Sequence, residues 1–82
     1  MEDKIREIIG THARLTVSAN SLPEEADLYA AGMSSQASVS LMIALEDEFD
    51  VEFPDRMLKR SVFQSIAAIR TALGEIQGTT AA

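Results

Sequence analysis

The stretch Gly32-Met33-Ser34-Ser35-Gln36-Ala37-Ser38-Val39-Ser40-Leu41-Met42-Ile43-Ala44-Leu45-Glu46-Asp47-Glu48-Phe49 limits the fold more than any other part of the chain. Gly32 and the two serines are loop and cap residues. Val39, Leu41, Met42, Ile43, Leu45 and Phe49 then recur at spacings that a helix gathers into one arc. A helix over Ser35–Phe49 follows, entered abruptly from a loop. Its apolar arc is broader than a surface helix needs, so part of it faces a core and part is free to border a cavity.

Two adjacent serines at a helix start do different work. With Ser34 as the N-cap, its side-chain oxygen accepts a backbone N–H from Gln36 or Ala37. Ser35 is then the first helical residue with its hydroxyl uncommitted, beside the unpaired amides and the positive end of the helix dipole. That position suits a phosphate group.

The remaining chain reads as helices joined by irregular segments. Ile5, Ile8, Ile9 and Leu15 place a first helix over Glu2 to about Leu15, with Glu2, Asp3 and Glu7 near its start and Arg14 near its end. His12 falls on the same stripe, and no second metal-binding side chain lies near it in sequence, so it receives no chemical role. Thr16 to Met33 is long for a connection and should be pinned by Val17, Leu22, Leu28 and Tyr29. Within it, Ser21-Leu22-Pro23-Glu24-Glu25 has the form of a short capped turn. Asp50-Val51-Glu52-Phe53 is extended. Pro54 begins a short third helix to about Lys59, with Met57 and Leu58 turned inward and Arg56, Lys59 and Arg60 making the segment basic. Ser61 is placed to cap a last helix whose Val62, Phe63, Ile66, Ile69, Leu73 and Ile76 share one stripe. Gly74 and Gly78 punctuate its end. The expected fold is all-α, a four-helix bundle with a long loop between the first two helices and a short third helix. Its domain spans residues 1–77, with a flexible tail at 78–82.

Composition narrows the function. The chain has 82 residues, enough for one domain, and its 46% hydrophobic content favours folding. Without cysteine there is neither a disulfide framework nor a thiolate metal site. Thirteen acids against seven Lys and Arg give a net charge of -6, which disfavours nucleic acid and anionic membranes and favours a basic partner surface. No stretch has the apolar length of a membrane span, and Met1-Glu2-Asp3-Lys4 does not open a signal peptide, so a cytoplasmic monomer is expected. Glu46, Asp47, Glu48, Asp50, Glu52 and Asp55 crowd together, but without the glycine and terminal glutamate of a calcium loop, and form an acidic face for steering. No nucleophile, histidine and acid set supports catalysis, and no glycine-rich loop cradles a phosphate.

In order and spacing, Asp27-Leu28, Gly32, Ser35, Val39, Leu41, Leu45-Glu46 and Glu48-Phe49 resemble the pattern around the phosphopantetheine serine of acyl carrier proteins. The similarity continues through Asp50-Val51-Glu52-Phe53-Pro54 and Phe63-Gln64-Ser65-Ile66-Ala67-Ala68-Ile69, so it covers roughly Ile5 to Leu73. It implies that a phosphopantetheinyl transferase moves 4'-phosphopantetheine from coenzyme A onto Ser35. The terminal thiol then carries a thioester to a downstream acceptor enzyme. The chain also departs from fatty-acid carriers. Ser34 stands where an Asp is usual and Gln36 where a Leu is usual, while Ala37 and Ser40 occupy positions that are often acidic. A neutral docking face of Gly32, Met33, Ser34, Gln36, Ala37, Val39, Ser40 and Ile43, bounded by Asp47, is expected to be read by shape and hydrogen bonds. In this the chain is similar to stand-alone aminoacyl carrier proteins charged by adenylate-forming amino acid:carrier-protein ligases. The resemblance thus implies a small amino acid as cargo, on an arm kept outside the core because a buried ammonium loses its hydration. Two other readings remain: a specialised fatty-acyl or polyketide carrier served by an acyl-activating enzyme, and a helical interaction module with no prosthetic group.

Overall fold

The structure, a computed structural model, describes the backbone of residues 2–81 and the side chains of residues 2–77. Three α-helices form it: α1 (Glu2–His12), α2 (Ser35–Phe49) and α3 (Ile66–Ala81). Three single 3-10 turns lie between them, at Ala19–Ser21, Asp55–Met57 and Arg60–Val62, and no strand occurs among the described residues. The all-helical expectation holds, but the segment expected to be a short third helix is instead a pair of 3-10 turns.

The core is built from the stripes that the sequence displays. Ile5 and Ile9 of α1, Leu41 and Leu45 of α2, and Ile66, Ile69 and Leu73 of α3 are fully buried, joined by Leu28 from the long loop. α1 packs against both α2 and α3. Phe53 and Phe63 are buried in the same core, their ring centroids 5.1 Å apart in an edge-on arrangement.

Several boundaries differ from expectation, each for a local reason. α1 stops at His12 rather than near Leu15, because Arg14 adopts a left-handed conformation with φ +56° that no helix can continue. The last helix begins at Ile66, after Val62 and Phe63, and its cap is Ser65 rather than Ser61: the Ser65 hydroxyl accepts the Ala68 amide at 3.0 Å. α3 passes through Gly74 without interruption and reaches Ala81. The expected tail at 78–82 falls where side chains, and Ala82 altogether, lie outside the described residues. Of the inward residues expected in the basic segment, Met57 is buried but Leu58 is 48% exposed, because the 3-10 turn ends between them.

The long loop between α1 and α2 is held by three of its four expected apolar pins and by polar staples. Leu28 is buried and Leu22 and Tyr29 pack on the core, but Val17 is exposed, and Ala19 and Met33 take up the buried positions. The Arg6 guanidinium donates to the carbonyls of Ala19 and Leu22, both at 2.8 Å. Arg70 donates to Glu2 at 2.6 Å and Glu24 at 2.7 Å, tying α1, the loop and α3 at one point. This guanidinium, by hydrogen bond and charge, holds the Glu24 carboxyl below the ordinary glutamate range. Further along, the Leu28 amide donates to the Gln64 carbonyl and the Ala67 amide to the Glu24 carbonyl. These bonds fix the loop against α3, and so fix the point at which it delivers the chain to α2.

Candidate functional site

Gly32 sets the approach to the site. Its φ of +118° turns the chain, and its bare Cα lies close to Thr16, whose amide and hydroxyl both donate to the Ala31 carbonyl at 3.0 Å. Met33 then dives into the core, with 3% of its surface exposed, while Ser34 and Ser35 emerge into solvent.

The two serines divide their work as the sequence predicts. Ser34 has extended backbone, φ -82° and ψ 169°, and its hydroxyl oxygen accepts the Ala37 amide at 3.0 Å. Ser35 is the first residue of α2. Its backbone carbonyl accepts the Ser38 hydroxyl at 2.7 Å, but its own hydroxyl has no hydrogen-bond partner among the described residues. An exposed hydroxyl with no local bond to break is open to covalent modification.

Beside Ser35 runs an open groove of about 500 Å³, between the first half of α2 and the two 3-10 turns. Val39, Met42, Leu58 and Phe63 give it apolar walls, and Tyr29, Lys59 and Arg60 its polar ones. No carboxylate and no histidine lines it. The Arg60 guanidinium lies over the Tyr29 ring, 4.0 Å from its centroid. A general base for the Ser35 proton is therefore absent from this groove, and His12 lines a separate one between α1 and α2 with Ser40, Ile43 and Asp47.

The expected docking residues separate into two groups. Gly32, Ser34, Gln36, Val39, Ser40, Ile43 and Asp47 are exposed, and Val39 and Ile43 present more than half of their surface. Met33 and Ala37 do not belong with them. Both are buried, because Ala37 stands four residues before Leu41 on the core stripe of α2 and Met33 closes the loop beneath it. Among the crowded acids, the Glu46 carboxylate accepts the Phe53 amide at 2.8 Å and holds the extended segment, so it is a structural group rather than a free steering charge. Lys59, Arg60 and Tyr29 were legible as a basic turn and a loop pin, but nothing in the sequence placed them beside Ser35.

A small bundle that offers one uncommitted hydroxyl at a helix start, with no catalytic partner near it, has the form of a carrier: a protein modified and loaded by others. Residues 3–74 match the phosphopantetheine attachment site family, and the chain belongs to that family. It is 51% identical over 69 residues to the aminoacyl carrier protein of Agrobacterium fabrum, covering 84% of this chain and 83% of that protein. In solved structures it is similar to a chain from engineered Bradyrhizobium japonicum glycine:carrier-protein ligase complexed with carrier protein from Agrobacterium tumefaciens and ATP. That likeness has 47% identity and a TM-score of 0.89 over 92% of this chain and 97% of the other. A second likeness, at 25% identity and TM-score 0.74 over 87% of this chain and 95% of the other, is to a chain from Bradyrhizobium japonicum glycine:carrier-protein ligase complexed with glycylated carrier protein. As a member of this family the chain carries 4'-phosphopantetheine covalently and is not itself a catalyst.

Proposed function

We propose that this chain is an aminoacyl carrier whose 4'-phosphopantetheine is attached through Ser35 and whose cargo is a small amino acid, glycine being the first to test. The observation that carries the assignment is the contrast between the two serines: the Ser34 oxygen is engaged with the Ala37 amide, and the Ser35 hydroxyl is engaged with nothing. The residues present fit the group, since Ser35 opens onto a groove with cationic side chains and no competing carboxylate. Attachment joins the Ser35 oxygen to the phosphorus next to pantetheine, breaks the pyrophosphate bond of coenzyme A and releases its nucleotide half. The serine proton goes to a base on the phosphopantetheinyl transferase, because the groove offers none. When bound, the group supplies a thiol that holds the cargo as a thioester at high effective concentration near each docked enzyme.

Partner choice falls to the outer face of α2. Gln36, Ser40, Ile43 and Asp47 follow one another at helical spacing and, with Val39, form an exposed ridge that is neutral until Asp47. This ridge docks an adenylate-forming amino acid:carrier-protein ligase, and a downstream enzyme accepts the cargo. The relatives complexed with such a ligase support this reading. We further assign residues 1–77 as the carrier unit and 78–82 as its tail. We take the paired 3-10 turns at 55–62 as the counterpart of a short third helix, completing a four-helix bundle. Among the described residues no helix is long and apolar enough to cross a membrane, and we assign the protein to the cytoplasm.

The cargo assignment is tested by isolating the loaded protein from its host and identifying the thioester by mass. A small aminoacyl group is expected, and a long-chain acyl group would replace this reading with the specialised acyl carrier.

A further inference from the structure

We propose that Lys59 and Arg60 grip the phosphodiester of the prosthetic group and lay its arm along the groove, giving the arm a resting position on this chain. The inference builds on the assignment of Ser35 as the attachment point.

The groove is bordered by Ser35 itself, so a group esterified there lies in the groove mouth from the moment it is attached. Thirteen acids outnumber seven Lys and Arg in the whole chain, yet the ionisable side chains at this groove, apart from the Tyr29 phenol, are two cations and no acid. Lys4, Arg6 and Arg70 each pair with a carboxylate, whereas Lys59 and Arg60, like Arg14 and Arg56, make no ion pair among the described residues, and of these four only Lys59 and Arg60 border the groove beside Ser35. Two cations without carboxylate partners beside a hydroxyl that becomes a phosphodiester are complementary to it.

Because Arg60 lies over the Tyr29 ring, its position is held by that contact, while its guanidinium N–H groups make no hydrogen bond among the described residues. A guanidinium held in place with its donors unengaged can make bidentate bonds to phosphate oxygens, and the contact with the ring removes part of the ordering cost in advance. Tyr29 is thus a positioning residue. Beyond the cations, Val39 and Leu58 are about half exposed and Met42 is partly buried, an apolar wall left open to solvent. The arm's methyl and methylene groups cover that wall, and its amides remain in water.

The test compares the apo protein with the form loaded by coenzyme A and a broad-specificity transferase, by intact mass and by NMR on the full chain. In wild type the mass rises by one phosphopantetheinyl group. The Arg60 Nε–Hε and the Lys59 and Arg60 amides then shift between the two forms, and the arm shows Overhauser contacts to Leu58 and Met42. Raising salt shrinks these shifts by half or more, as the screening length falls from about 10 Å at 0.1 M to about 3 Å at 1 M. In the Lys59→Gln/Arg60→Gln double variant the mass still rises, but the contacts to Leu58 and Met42 fall to background; Tyr29→Leu weakens them while leaving both charges. Should shifts stay confined to residues 34–38 in wild type, or the contacts persist in the double variant, the grip is overturned while Ser35 stands. Should the wild-type mass not rise, or rise equally in Ser35→Ala, the attachment reading falls and takes the grip with it.

Discussion

Replacing Gly32 by alanine should be among the most damaging single-methyl changes this protein can undergo. At φ +118° an L side chain is strained, which costs about 1–3 kcal/mol. The new Cβ would also lie 3.1 Å from the Thr16 Cγ2 and 3.2 Å from the Thr16 amide nitrogen. That nitrogen cannot withdraw freely, because it and the Thr16 hydroxyl hold the Ala31 carbonyl, so the misfit adds about 1–2 kcal/mol. A loss of about 3 kcal/mol would remove a large share of the roughly 4–12 kcal/mol usual for a chain of this length. The melting temperature should fall by about 12–24 °C at the usual 4–8 °C per kcal/mol. Gly74→Ala is the control. It lies exposed within α3 with nothing within 4 Å of a new Cβ, so the same added methyl should stabilise by about 0.5–1 kcal/mol. Urea unfolding followed by far-UV circular dichroism measures both, with unchanged slopes if only stability moves. A change under about 0.5 kcal/mol in Gly32→Ala would refute the reasoning, because surface substitutions without a structural role fall in that range.

Three other outcomes are expected. Ser34→Ala loses the cap on Ala37 and should cost about 1 kcal/mol, whereas Ser35→Ala should stay within about 0.5 kcal/mol; equal losses in thermal melts would contradict the division of labour. Arg70→Gln should raise the Glu24 titration midpoint toward the ordinary glutamate value, read by carboxyl NMR. In the wild type the folded value lies below the unfolded one, so this ion pair's contribution is present above the unfolded value and is lost as pH falls through the folded one. Leu41→Ala, fully buried, should cost about 2–5 kcal/mol, while Ile43→Ala, 57% exposed, should leave stability within about 0.5 kcal/mol and slow charging by the ligase; unchanged charging in Ile43→Ala would remove the α2 ridge as a docking surface.

What the sequence made legible was what short-range chemistry decides. The bounds of α2, the capping role of Ser34 and the free hydroxyl of Ser35 could be read from neighbouring residues, because a cap is a contact between residues three apart. The core stripe from Ile66 through Leu73 could be read from helical period. Where a boundary rested on competition between equally plausible residues, reading failed. Ser61 and Ser65 are both residue types that cap, and in the structure Ser61 is taken up by the 3-10 turn at Arg60–Val62 while Ser65 caps α3. The stop after His12 turned on a left-handed Arg14, a conformation no propensity assigns to arginine. Ala37 looked like part of a small, neutral surface, yet small residues serve close packing as well as exposed faces. The breadth of the apolar arc of α2 pointed to a cavity, and Val39 and Met42 do line the groove beside Ser35, but its opposite wall of Tyr29, Lys59 and Arg60 could not be read, since it is brought there by a loop whose course is set by Arg6 and Arg70.

The central claim is that one hydroxyl, and not its neighbour, receives the prosthetic group. Wild type, Ser34→Ala and Ser35→Ala are incubated with coenzyme A and a phosphopantetheinyl transferase, and their intact masses are read. The account requires a gain of one phosphopantetheinyl group in wild type and Ser34→Ala and none in Ser35→Ala. A gain in Ser35→Ala that disappears in Ser34→Ala would contradict it.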